Sequence, residues 1–402
     1  MPHAIAHSVE MLTTVLTLAG MGYFLAALIA ARAFLSARRA PLPAFAPGVS
    51  ILKSLKGLDP GMIDAFRSHC RQTYAGEYEL LFGVSSLDDP AAAAVEQLKQ
   101  EFSSHAIQLV ECPARLGANG KVSNLVQLAA HARYDFLLIN DSDITVSPHY
   151  LERVMAHFAP QPNASSHAAK PQRETGLVTS LYRGRAHRTL PSRLEALGIA
   201  TDFQAGVLLS RMIERGLHYG LGSTLAVSRE ALEAIGGLET LVDHLADDYE
   251  LGARVDRAGY RVALSAEVVE TGVPAYNWRG FIDHQLRWSR TVRDARPWGY
   301  AGLIFTHGLA WALLNVVASG VSPLSLWLLG LSFFLRLTVA MTVGAQVLAD
   351  HQTLPALWLL PLRDLVAMGI WAAGFAGNTI VWRGQRFELK NGELKKLPEP
   401  IN

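Results

Sequence analysis

Long uncharged runs open and close this chain, and between them short apolar stretches alternate with segments of helical period. Met11 to Ala31 carries no charged residue and is long enough to cross roughly 30 Å of hydrocarbon. After a proline-rich linker, Pro41 to Pro47, four short apolar runs read as buried strands: Val49–Leu55, Tyr78–Val84, Ile107–Glu111 and Phe136–Asn140. Gly61–Gln72, Ala91–Phe102 and Lys121–Ala132 lie between them with helical composition and period. Strand and helix in alternation predict an α/β fold with a parallel sheet covered on both faces. Ligands in such sheets sit at the carboxyl ends of strands, where Asp89 and Asp141 both fall. Gln161–Gln172 reads as a polar loop, Arg183–Gly216 as a helix-rich stretch, Gly222–Val227 as a further strand and Asp248–Ala258 as a helix.

The apolar pattern returns beyond Trp298. Gly299–Leu335 contains no Asp, Glu, Lys or Arg and is too long for one span, with a turn at Ser319-Gly-Val-Ser-Pro323. Two membrane helices are expected, Gly299–Ser319 and Ser322–Ala345, and a third apolar segment over Leu354–Gly377. Three full crossings would put the basic tail (Arg383, Arg386, Lys390, Lys395, Lys396) opposite Arg32, Arg38 and Arg39, so one C-terminal segment is expected to be re-entrant or interfacial. Arg336, Arg363 and Asp364 lie inside apolar segments, where a charge must face the protein interior, a partner or a headgroup.

Composition supports this picture. Half of the residues are apolar, too many for a typical soluble enzyme, and the net charge of +1 without a sustained basic run argues against nucleic-acid binding. Cys70 and Cys112 form neither a metal-ligand spacing nor a disulfide framework. No basic segment precedes the first apolar run and no small-residue cleavage site follows it, which favours an uncleaved anchor over a signal peptide.

Chemistry concentrates in a few motifs. In Asp141-Ser142-Asp143, directly after a strand, alternate carboxylates project alike and can address one Mg²⁺ or Mn²⁺; the plainer alternative is a turn with solvated acids. Asp89 suits a uracil or ribose contact and equally a helix N-cap before Pro90. Gly117-Ala-Asn-Gly-Lys121 opens a helix, where Lys121 offers a point charge to phosphate, although Asn-Gly is also an ordinary turn. Asp247-Asp248 reads on pattern alone as helix capping. In His284-Gln-Leu-Arg287-Trp288, Arg287 can neutralise a departing diphosphate and Trp288 offers a flat apolar wall. Arg290, Arg293 and Arg296 extend a cationic stripe, and Arg293 and Arg296 read as attracted to anionic headgroups.

These positions resemble the ceramide glucosyltransferase family, which places D, D, D and (Q/R)xxRW in this order. The similarity runs from Leu52-Lys-Ser-Leu-Lys-Gly-Leu-Asp59 through Val84-Ser-Ser-Leu-Asp-Asp-Pro-Ala91 to the Arg-Trp motif. Ile139-Asn-Asp-Ser-Asp-Ile144, Tyr182-Arg-Gly-Arg-Ala186, Leu245-Ala-Asp-Asp-Tyr-Glu-Leu-Gly252 and His284-Gln-Leu-Arg-Trp288 look most like its bacterial hopanoid-biosynthesis branch.

The resemblance implies a GT-A, Rossmann-like nucleotide-sugar fold. It makes Asp89 a nucleotide contact, Asp141 and Asp143 the metal and diphosphate site, Asp248 the catalytic base, and gives Arg287 and Trp288 the roles of the final motif. His284 stands where the family has Gln or Arg, and Ser86 where some relatives have an acid.

The expected organisation is a membrane anchor over 1–40, a cytoplasmic catalytic domain over 48–298, membrane helices over 299–381 and a basic tail over 382–402. The expected activity is inverting transfer of N-acetylglucosamine from UDP-GlcNAc to bacteriohopanetetrol, at the cytoplasmic face of the inner membrane. Ceramide with UDP-glucose is the nearest alternative. A nucleotidyltransferase would not need the membrane flanks, and a transporter or receptor would not need the soluble core.

Overall fold

The computed structural model describes residues 2–160, 173–382 and 385–397. The loop expected over Gln161–Gln172 and the tail residue Arg383 lie outside the described residues. The chain forms two compact units, one of residues 40–182 and 214–272, the other of residues 1–39, 183–213 and 273–402.

The first unit is built on a seven-stranded sheet. Its strands are β1 (Val49–Ser54), β2 (Tyr78–Val84), β3 (Ala106–Glu111), β4 (Phe136–Ile139), β5 (Thr175–Arg185), β6 (Leu225–Ser228) and β7 (Arg261–Gly272), in the order β3-β2-β1-β4-β6-β5-β7. β1 pairs in parallel with β2 and β4, and β2 with β3, as the alternation predicts. β6 pairs antiparallel with both β4 and β5, which makes the sheet mixed rather than wholly parallel. Helices Met62–Cys70, Pro90–Glu101 and Gly120–Ala129 connect the parallel strands. Val49, Ile51, Phe66, Phe82, Val95 and Leu138 are among the residues that fill the core.

β5 and β7 are not expected from the hydrophobic pattern, and both bury polar side chains, as β1 and β2 also do. Thr179, Ser180, Ser265 and Glu267 are all inside. Thr179 donates from Oγ1 to the Leu221 carbonyl and accepts the Leu221 N–H, and Glu267 takes Arg153 at 2.7 Å. Satisfied polar groups are tolerated in a core, so alternation of polarity stops reporting the buried face.

The second unit is dominated by apolar helices. Three are long and apolar enough to cross a membrane: Ile5–Ala37, Pro323–Val347 and Thr353–Gly374. A bent pair, Pro297–Thr306 with Gly308–Ala318, breaks by 57° where the sequence predicts one continuous span. The N-terminal helix packs on Gly308–Ala318 through two glycines, a Cβ on Gly20 falling 2.2 Å from the Gly308 Cα. Asn315 Nδ2 ties the same two helices by donating to Thr13 and Thr14 Oγ1 at 3.0 and 2.8 Å, a polar contact suited to helix pairing in lipid.

Arg336, which the sequence leaves without a partner, is fully buried and donates to both oxygens of Asp364 and to Asp202, with Thr201 Oγ1 at 3.0 Å. Asp202 belongs to the π-helical turn Ile199–Phe203, which joins helices Leu190–Gly198 and Gln204–Ile213. Arg293 corrects the headgroup expectation: it donates to the Gly374 and Gly377 carbonyls, and Arg290 to those of Ala376 and Thr379. These guanidiniums satisfy the last carbonyl of helix Leu360–Gly374 and carbonyls of the segment that follows it. Beyond it a short antiparallel sheet forms from Thr379–Trp382, Gln385–Lys390 and Glu393–Lys396.

Candidate active site

β4 delivers its acids from a fixed end. Asn140, immediately after the strand, is buried and donates from Nδ2 to Tyr150 Oη at 3.0 Å and to the Ser223 carbonyl at 2.6 Å, while His69 Nε2 meets its Oδ1 at 3.1 Å. Asp141 follows with its side chain about half exposed. Ser142 turns away and donates to Asp59 Oδ2 at 2.6 Å. Asp143 Oδ2 accepts from Thr271 Oγ1 at 2.6 Å and from the Gly272 N–H at 2.8 Å. Burial raises the proton affinity of Asp143, while these two hydrogen bonds work the other way.

Two lysines serve this turn. Lys53 on β1 is wholly buried, and its ammonium donates to the Asp141 carbonyl at 3.0 Å. Burial pushes its pKa down to about 7, and the charges of Asp143 and Asp141 oppose that fall. Lys121 stands at the start of helix Gly120–Ala129, whose N-cap Asn119 accepts the N–H groups of Lys121 and Val122. The capping oxygen therefore occupies backbone donors that would otherwise meet phosphate, and the free resource is the side-chain ammonium. That ammonium lies 2.7 Å from Asp141 Oδ1 and 3.4 Å from Asp247 Oδ2. Burial works against its charge, but Asp141 and Asp247 outweigh it and raise its pKa.

Asp248 adjoins this cluster. Its carboxyl is pushed up to about 6, first by burial and then by the charge of Asp247, with Lys121 acting in the opposite sense. The backbone opposite is glycine for a steric reason: a Cβ on Gly222 would fall 2.9 Å from Asp248 Oδ2. Asp247 and Asp248 open helix Asp247–Arg257 without any side-chain cap at its N-cap residue Ala246. Asp248 Oδ1 accepts the Tyr249 N–H at 2.8 Å, so it also serves the helix start, as the pattern of the sequence suggests.

Asp89 does cap its helix, accepting the Ala91 N–H at 2.9 Å. It also accepts the Gly57 N–H through both oxygens, at 2.9 and 3.1 Å. The loop after β1 thus holds Asp89 by Gly57 and Ser142 by Asp59, gathering the carboxyl ends of β1, β2 and β4. Arg287 and Trp288 stand half-buried on helix Trp278–Ala295 of the second unit. On that helix His284 lies against the Trp288 ring at 4.8 Å and stacks on Tyr276, with Nδ1 3.1 Å from the buried Glu195 carboxylate.

Asp141 and Asp143 offer the carboxylate oxygens that Mg²⁺ or Mn²⁺ would take, and the ammonium of Lys121 against Asp141 is a cation already standing there. Among the described residues no three or more His, Cys, Asp or Glu side chains gather as a metal cluster. A divalent ion there would rely on two carboxylates, with diphosphate and water completing its shell. In the sequence Asp247 reads only as helix capping, Lys53, Asp59 and Asn119 lie within the motif stretches without a role of their own, and Thr271 is not singled out.

The Glycosyl transferase family 21 model matches residues 12–395. "Ceramide glucosyltransferase 3" of Caenorhabditis elegans is 24% identical over 366 residues, covering 86% of this chain and 73% of that protein. "Ceramide glucosyltransferase 1" of the same organism is 22% identical over 377 residues, covering 89% and 76%. Among solved structures, the mannosyltransferase PcManGT from Pyrobaculum calidifontis, in complex with GDP-Man and Mn²⁺, superposes with a TM-score of 0.53 at 18% identity. The match covers 91% of this chain and 97% of that one. This likeness bears on the fold, and it agrees with the GT-A-type α/β architecture.

Proposed function

The chain belongs to glycosyl transferase family 21, and from that premise we propose that it is a membrane-bound inverting transferase that moves a sugar from UDP onto a lipid hydroxyl. The observation that carries the reading is the convergence of Asp141 and Asp247 on Lys121 beside the half-buried Asp248, whose carboxyl is pushed up to about 6. The favoured donor is UDP-GlcNAc and the favoured acceptor bacteriohopanetetrol, on the sequence stretches that resemble the hopanoid branch. The ceramide glucosyltransferase relatives favour a second reading, UDP-glucose and a sphingolipid.

In this reading Asp89 receives the nucleoside, and Lys121 turns from Asp141 towards the diphosphate. Asp141 and Asp143 would hold the divalent ion, Mg²⁺ or Mn²⁺, which when bound would supply Lewis-acid neutralisation of the leaving diphosphate. Mn²⁺ beside GDP-Man in the mannosyltransferase supports a metal here. Asp248 takes the proton of the acceptor hydroxyl as that oxygen attacks the anomeric carbon. Arg287 is assigned to the departing UDP and Trp288 to a flat apolar wall on the strength of their motif. Arg32, Arg38 and Arg39 after the first apolar helix support a catalytic region on the cytoplasmic side of the inner membrane. The division into anchor (1–40), catalytic domain (48–298), membrane helices (299–381) and basic tail (382–402) is proposed with it.

The test is mass spectrometry of lipid products after purified protein is incubated with mixed UDP-sugars and both lipid classes. An N-acetylhexosyl hopanoid supports the first reading and a hexosylceramide the second. Absence of any glycosylated lipid, with donor and metal present, overturns both.

A further inference from the structure

The acidic site contains its own cations. Asp141, Asp143, Asp247 and Asp248 are accompanied by Lys53 and Lys121, and each lysine touches Asp141: Lys53 at its carbonyl, Lys121 at its carboxylate. Lys121 is the better placed of the two to move. Its side chain is one-fifth exposed, its ammonium bridges Asp141 and Asp247, and only its backbone N–H is fixed by the Asn119 cap. Asp247 is held independently, with Oδ1 3.3 Å from Asn119 Nδ2, so that it stays in place when the ammonium leaves Asp141.

We propose that Lys121 is the resident counter-cation of this site, clasping Asp141 in the donor-free protein and yielding it only when a nucleotide diphosphate draws the ammonium away. The inference rests on the reading of Asp141 and Asp143 as metal ligands, and it adds an order of events. A divalent ion approaching Asp141 meets a positive charge bonded to the same carboxylate. The anionic diphosphate reverses this by attracting both cations at once. Metal and nucleotide therefore bind with positive coupling, and by linkage each improves the affinity of the other by the same factor. No bond is made or broken, and Lys121 acts as a positioning residue.

Mn²⁺ binding to the full-length protein in detergent, followed by electron paramagnetic resonance with and without UDP, tests the idea. Wild-type protein should bind Mn²⁺ about tenfold or more tightly once UDP is present. Lys121→Met should bind Mn²⁺ without UDP about tenfold more tightly than wild type, and the further gain on adding UDP, which then comes from the diphosphate alone, should be smaller than in wild type. Lys121→Arg, which keeps the charge, should behave as wild type. If Lys121→Met binds Mn²⁺ alone no better than wild type while UDP and Mn²⁺ still bind the parent protein, the counter-cation inference is overturned and the transferase reading stands. If the parent binds neither UDP nor Mn²⁺ in any combination, both fall.

Discussion

In the proposed mechanism Asp248 is the base, and its surroundings predict a pH dependence. Only the ionised carboxylate accepts a proton, and burial with the neighbouring Asp247 charge has moved its pKa from the ordinary 3.8 to about 6. Turnover at limiting substrate should therefore fall as pH drops through about 6, roughly tenfold per unit below it. A flat kcat/KM between pH 5 and 7 would remove Asp248 as the base. The stability effect has the opposite sense. The folded protein binds a proton that the unfolded chain has already released between about pH 4 and 6, so this group favours folding at low pH and that contribution is lost as pH rises through about 6. Asp248→Asn should lower turnover by about 10² to 10⁴-fold while UDP still binds, measured by single-turnover assay and calorimetry. Near-normal turnover would eliminate the assignment. The sequence presented Asp247-Asp248 as a pair fit for capping. What distinguishes them is burial against Gly222 and the sharing of Lys121, both created by segments distant in the chain.

At the scale of elements, hydrophobic runs located β1 to β4 and β6 and passed over β5 and β7. β2 spans the expected Tyr78–Val84, and β1, β3 and β4 differ from expectation only at their ends. In β5 and β7 the partners for Glu267 and Thr179 come from other elements, and no local pattern announces such partners. Helix pairing is equally silent in sequence: Gly20 and Gly308 look unremarkable until their backbones meet. Gly20→Leu places side-chain atoms where a Cβ alone already falls 2.2 Å from Gly308 Cα, so the two helices must separate. Overpacking of this kind costs about 1–3 kcal/mol. The expected outcome is a lower Tm in detergent, with a smaller fall for Gly22→Leu, since a Cβ there meets nothing within 4 Å. Equal melting of the two variants would refute the close approach.

At the scale of the molecule, the apolar helices form a unit with residues that lie between strands of the sheet in sequence, and an ionic clamp secures them. Apolar context in the sequence required Arg336 and Asp364 to find partners, but Asp202, in an amphipathic stretch far upstream, could not be identified from one chain. The clamp joins Pro323–Val347, Thr353–Gly374 and the π-helical turn at Ile199–Phe203, with Arg336 and Asp364 almost wholly buried. Buried ion pairs are expensive to break and often inexpensive to replace, because removing one partner strands the other charge, whereas removing all of them abolishes the desolvation cost. Arg336→Met leaves Asp364 buried beside Asp202 with their strongest cation gone; Arg363, whose Nη2 lies 3.5 Å from Asp202, remains. That variant should lose about 3–5 kcal/mol of stability, and Arg336→Met combined with Asp202→Leu and Asp364→Leu should recover much of it. Thermal unfolding of the three proteins in one detergent decides the matter. A triple variant less stable than the single one would mean that the ionic contacts outweigh their desolvation cost, and would refute the argument.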